Sequence, residues 1–190
     1  MGFMKKCLGA ALVSMAIVSV GAQAEEATQK SGFAPDSVSF EVGAGEHVQL
    51  ARVGFQWDWN KDWFRTEGGY HLNGYWDLNL GWWHGNRHRD KNQDQDLAVI
   101  GITPVFRWEN ASKKGFYVEG GIGASLFSET YNNNDNKMST AFEFADHIGV
   151  GYVFNNNFDL GLRLQHYSNA GIKHPNDGEN FVVLRGAYRF

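Results

Sequence analysis

FDLGLRLQHYSNAGIKHPNDGENFVVLRGAYRF, residues 158–190, decides how the rest of the chain is read. It holds two alternating segments joined by a polar loop, and it ends on an aromatic residue. Phe158, Leu160, Leu162 and Leu164 take the even positions of the first segment; Asp159, Gly161, Arg163 and Gln165 take the odd ones. A period of two over this length is a β-strand with one apolar and one polar face. The even register runs on into His166 and Ser168. A base and a potential nucleophile therefore end an otherwise apolar row, an odd place for them unless they do chemistry there.

Upstream, Lys5 and Lys6, an apolar run over 8–20 and the triplet Ala22-Gln23-Ala24 match a secretory signal peptide. Residues 1–24 are expected to be removed and 25–190 to form one domain. The run is too short, and Glu25 and Glu26 follow too closely, for a membrane helix. The single cysteine, Cys7, lies in this leader. A lipoprotein anchor there would need the apolar core to precede it, and here the core follows. The mature chain then has no thiol, which excludes disulfides, Cys–metal sites and Cys nucleophiles. Loss of two leader lysines takes the formal charge from −4 to −6, and no basic run points to nucleic acid. Aromatic residues make up 15% of the chain, Gly is abundant and Pro scarce. Such a chain is a water-soluble β-protein or an outer-membrane barrel, whose strand signal is diluted by lumen-facing polar residues.

Strands are predicted over 37–46, 48–59, 65–83, 97–108, 116–127 and 139–154, then from 158, and over 180–190. After the first hairpin the connections alternate short and long: 60–62, 85–95, 110–115, 128–137, 155–157 and the last loop. Eight strands with short turns at one end and longer loops at the other describe a small transmembrane barrel. Trp57, Trp59, Trp63, Trp82, Trp83 and Trp108 fall near strand ends, as an interfacial girdle would, and Tyr188 and Phe190 give the aromatic C-terminus of outer-membrane proteins. The predicted fold is all-β, an eight-stranded antiparallel transmembrane β-barrel with its interior filled by side chains and no open pore. A soluble lipocalin-like barrel is the rival; it would turn the apolar rows inward.

If the apolar face meets lipid, His166 and Ser168 meet it too, at the outer end of the seventh strand. Their substrate should then be a lipid. A serine hydroxyl becomes a good nucleophile when a base takes its proton, and histidine is the usual base. Taken alone, His-x-Ser is more often an interfacial histidine beside a solvated loop serine. If the turn is centred on Asn156, residues equidistant from it pair and Asp146 comes opposite His166 on the same face; a different turn register removes that pairing. A carboxylate facing lipid is costly and usually has a partner.

His166-Tyr167-Ser168-Asn169-Ala170-Gly171, followed by Lys173, Pro175-Asn176-Asp177-Gly178 and Glu179, resembles the signature of PagL-type lipid A 3-O-deacylases. Phe144-Ala145-Asp146 matches more loosely, at the family's separation from the histidine. The resemblance implies an eight-stranded outer-membrane serine esterase that removes the 3-position acyl chain of lipid A in lipopolysaccharide. It makes Ser168 the nucleophile, His166 the general base, and the Asn169 side chain with the Gly171 N–H the oxyanion donors. A turn that merely needs Asn and Gly for its backbone path is the plainer account of the last two. The family's third member is a glutamate at the start of the last strand, which makes Glu179 the candidate. Here Glu179 follows Gly178 directly, whereas one residue intervenes in the family pattern, and Asn180 takes that register. A one-residue slip reverses the facing, so a bulge or loop adjustment is required. Asp146 is the competing orienter or a supporting group.

His84, Arg87, His88, Arg89 and Lys91 crowd one outer loop and read as solvated, or as contacts to lipid A phosphates. Asp94 and Asp96 beside them lack metal spacing, and neither metal nor cofactor is expected. Glu41, Glu67, Glu119, Glu143, Arg52, Arg107 and Arg163 read as interior ion-pairing residues. The partners expected are lipid A and outer-membrane lipids, no nucleic acid, and a second copy of the chain as one option. The rival functions are a non-catalytic adhesin or structural barrel and an outer-membrane phospholipid esterase.

Overall fold

A computed structural model describes residues 32–86, 93–133 and 136–190; the predicted leader and Arg87, His88, Arg89 and Lys91 lie outside the described residues. The strands are β1 (Ser37–Gly45), β2 (Val48–Asp58), β3 (Tyr70–Gly85), β4 (Gln95–Asn110), β5 (Gly115–Phe127), β6 (Asn132–Asn133), β7 (Asn136–Lys137), β8 (Phe142–Val153), β9 (Phe158–Ser168) and β10 (Glu179–Arg189). Eight of them close a barrel in the order β1-β10-β9-β8-β5-β4-β3-β2, every pair antiparallel. The short β6–β7 hairpin sits in the loop between β5 and β8. β3 begins at Tyr70, later than the alternation suggested. Residues 59–69 instead form a folded connection held by Trp63–Leu72 backbone bonds and a turn from Thr66 to Gly69.

Period-two alternation decides what each wall residue meets. Outward positions of β9 carry Leu160, Leu162 and Leu164, 42%, 48% and 56% exposed, beside Ile148 and Val150 of β8 and Val182 and Leu184 of β10. This is the apolar band of a membrane-spanning barrel, and the reverse of the lipocalin arrangement.

The interior has two layers. Near the end that carries the β9–β10 loop, Trp83 packs edge-to-face on Phe127, Tyr131, Tyr167 and Phe181, and Leu97 and Val183 complete an apolar plug. Trp83 thus leaves the expected girdle: Trp82 points outward, and the next residue in the strand must point in. Below the plug lies an ion-pair lattice. Arg163 bonds Glu119 at 2.7 Å and Glu41 at 2.9 Å, and Arg52 bonds Glu41 at 2.8 Å. Arg107 bridges Glu119 at 2.6 Å and Asp159 at 3.0 Å, and Arg185 reaches Asp159 at 2.9 Å. Buried charges persist only when paired and hydrogen-bonded, and here each carboxylate answers at least two donors. Glu143 is buried but bonds Thr140 instead, while Glu67 is exposed and outside the lattice.

Candidate active site

Ser168 ends β9 on the outward face, two residues beyond His166, both half-buried. In a strand these side chains share a face about 7 Å apart along the chain, within mutual reach. The pairings Asp146↔His166 and Asn180↔His166 make the imidazole the centre of a row across β8, β9 and β10. The turn centred on Asn156 therefore brings Asp146 opposite His166. No hydrogen bond or ion pair reaches the Asp146 carboxylate among the described residues.

The imidazole is held on two sides. Its Nδ1 lies 2.8 Å from Asn180 Oδ1. With the proton on Nδ1 donated to that oxygen, Nε2 keeps its lone pair for Ser168. Gly178 backs the ring: a Cβ built there would stand 2.7 Å from His166 Cε1 and 3.3 Å from Nε2, and its φ is +74°. Only glycine combines that conformation with so close an approach. Ser168 Oγ makes no hydrogen bond among the described residues; catalytic bonds of this kind often close only when substrate is bound.

Glu179 is not beside His166. The β9–β10 ladder runs without a bulge from Glu179↔Tyr167 to Tyr188↔Phe158, so parity turns Glu179 into the barrel. There it is 1% exposed and accepts bonds from Tyr131 Oη at 3.0 Å, Asn136 Nδ2 at 2.9 Å and the Glu46 N–H at 3.2 Å. Burial, and then the adjacent Glu179 carboxylate, raise the Tyr131 hydroxyl above its ordinary pKa, keeping it a donor. Glu179 thus ties β10 to the β1–β2 turn and the β5–β8 loop.

Asn169 and Gly171 are spent on the loop. Asn169 is fully buried; its Oδ1 accepts from the Gly171 N–H at 3.0 Å, and its Nδ2 donates to Thr140 Oγ1 at 3.0 Å and Lys173 O at 2.9 Å. The Asn169 N–H donates to Asn176 Oδ1 at 2.9 Å. Ala170 (φ 54°) and Gly171 (φ 78°) form the centre of a tight turn closed by Ile172 N–H to Asn169 O. The Ala170 N–H keeps no partner among the described residues. The offset of Glu179 from the family pattern points at Asn180, whereas no local pattern marks Gly178 as a neighbour of the imidazole.

A groove of about 930 Å³ runs over the outward wall, with Asp146, His166 and Asn180 in its lining. Ala44 and Gly120 open it where Phe106, Ile122, Ile148 and Leu164 supply an apolar wall. No cluster of three metal-ligating side chains occurs among the described residues. At the same end, the exposed pair His84 and Asp96 bond at 2.8 Å, with Trp82 Nε1 on the same carboxylate.

A family model described as "Lipid A 3-O-deacylase (PagL)" matches residues 49–189. "Lipid A deacylase PagL" of Pseudomonas aeruginosa is 40% identical over 144 residues, covering 74% of this chain and 79% of its own. The protein of the same name from Bordetella bronchiseptica is 35% identical over 181 residues, covering 94% and 93%. The crystal structure of the outer membrane enzyme PagL superposes with a TM-score of 0.70 at 34% identity, over 81% of this chain and 99% of that one.

Proposed function

The chain belongs to the lipid A 3-O-deacylase (PagL) family, and from that premise we propose that Ser168 and His166 carry the ester hydrolysis. The protein is an outer-membrane barrel hydrolase acting on lipid A. The observation that carries the serine reading is the placement of His166 and Ser168 on the lipid-facing wall, with an apolar groove running from His166. A fatty acyl chain lies in such a groove without leaving the membrane. Its ester would then meet Ser168 at the outer end of β9.

His166 Nε2 takes the proton as Ser168 Oγ bonds to the acyl carbonyl carbon, and the carbonyl electrons move onto oxygen. The tetrahedral anion collapses, the sugar oxygen at the 3-position leaves, and the imidazolium protonates it. Water repeats the sequence on the acyl-enzyme, with His166 as base, and releases the fatty acid. The Ala170 N–H, unpaired and next to the nucleophile's loop, is the donor proposed for the anion. Asn169 and Gly171 form the clasp that aims it. One barrel holds every group this mechanism uses.

The test compares lipid A mass spectra from cells expressing wild type and Ser168→Ala at matched outer-membrane levels. Loss of one hydroxyacyl chain with wild type alone is the expected result. Equal loss with both would remove Ser168 from the mechanism. Release of acyl chains from phospholipid at a comparable rate would favour the broader lipid esterase.

A further inference from the structure

We propose that Asn180, a neutral amide in the register where the family pattern has its acid, is the orienting partner of His166, which makes the working set Ser168–His166–Asn180. This rests on the reading of Ser168 and His166 above. Three independent features carry it. Asn180 Oδ1 stands 2.8 Å from the imidazole Nδ1. The ladder that pairs Asn180 with His166 continues unbroken along β10, leaving no bulge to bring Glu179 round. And Glu179 is committed to three donors from other loops on the opposite face.

The amide can do half of what a carboxylate does. By accepting from Nδ1–H it fixes the tautomer that leaves Nε2 basic, the positioning role of the third member of such triads. It brings no negative charge to stabilise the imidazolium. It can also reverse: with Nδ2 toward the ring the proton would move to Nε2 and the base would be lost, and among the described residues no second bond on Nδ2 holds the amide against that. Among groups facing the imidazole, β8 contributes the carboxylate of Asp146, the 169–178 loop contributes Gly178, and Glu46 of the β1–β2 turn lines the same groove. These stay constant across the variants below.

Wild type, Asn180→Asp, Asn180→Leu, Glu179→Gln and Ser168→Ala are purified as folded full-length barrels. Each is assayed on lipid A in detergent micelles across pH. Asn180→Leu should lower kcat roughly 100-fold at unchanged KM, the scale of a mispositioned base. Asn180→Asp, which can only accept, should raise kcat and move the acid limb of kcat/KM up by about one pH unit, because an adjacent anion favours the charged imidazole. Glu179→Gln should leave kcat and the limb where they are. The inference is overturned if both Asn180 variants keep the wild-type limb and kcat, or if Glu179→Gln moves the limb. Activity in Ser168→Ala would instead sink the underlying nucleophile assignment, so the two failures are distinct.

Discussion

The barrel's inner lattice and the outward row around His166 are built from the same kinds of side chain, yet they end in opposite states. Inside, Glu41, Glu119 and Asp159 are each bonded by at least two of Arg52, Arg107, Arg163, Arg185 and Tyr117, and all are buried. Outside, among the described residues, the Ser168 hydroxyl and the Asp146 carboxylate make no hydrogen bond, and His166 spends one nitrogen of two. A closed network is a structural part, because any rearrangement would orphan a charge in a low-dielectric interior. An open row keeps donors and acceptors for a substrate. Residue type therefore says little here; the fraction of hydrogen-bonding capacity already used says which layer is left open to a substrate.

The comparison breaks first at the proposed base. His166→Gln should cut turnover by at least about 10³-fold, the loss typical of a catalytic base. Its unfolding free energy in urea should stay within roughly 0.5 kcal/mol of wild type, as for a change away from packed features. The inner layer predicts the mirror image: Arg163→Met leaves Glu41 and Glu119 each short of a partner and should cost about 3–5 kcal/mol. Turnover per folded barrel should hold. If Arg163→Met instead lowered kcat of the folded fraction, the two layers would be coupled and the distinction would fail.

Gly178→Ala sharpens the boundary. The added methyl pushes on the imidazole and should lower kcat roughly 100-fold, while the strained φ costs about 1 kcal/mol of stability. Smallest is Tyr131→Phe, which removes one of Glu179's donors. A loss of about 1 kcal/mol in unfolding is expected, with an unchanged pH–rate profile. A shifted profile would put Glu179 back into the chemistry.

Much of this was legible in the sequence because alternation is local. Each strand announces its two faces within a few residues, so the apolar wall, the lumen-facing Glu41, Arg52, Glu119 and Arg163, and the outward His166 and Ser168 follow from parity alone. The Asp146–His166 juxtaposition was one of the registers the sequence allowed, and the ladder adopts the one centred on Asn156. Parity fails where it must be carried across a longer connection. Trp83 was grouped with girdle tryptophans because composition near strand ends does not say which side of the wall a ring takes. Glu67 looked like an interior residue only because the strand was extended back through the 59–69 connection.

The sequence by itself determined the barrel, its lipid-facing side and the position of the serine–histidine pair, since these depend on neighbours one or two residues away. Which β10 residue faces His166 was decided by the tertiary structure alone. Whether Glu179 or Asn180 faces His166 depends on how many residues the 169–178 loop consumes before β10 begins. That loop is shaped by Asn169, Asn176 and Thr140 bonding across it. Glu179 is then held inside by Tyr131, Asn136 and Glu46, groups brought together from three separate parts of the chain only when the barrel closes.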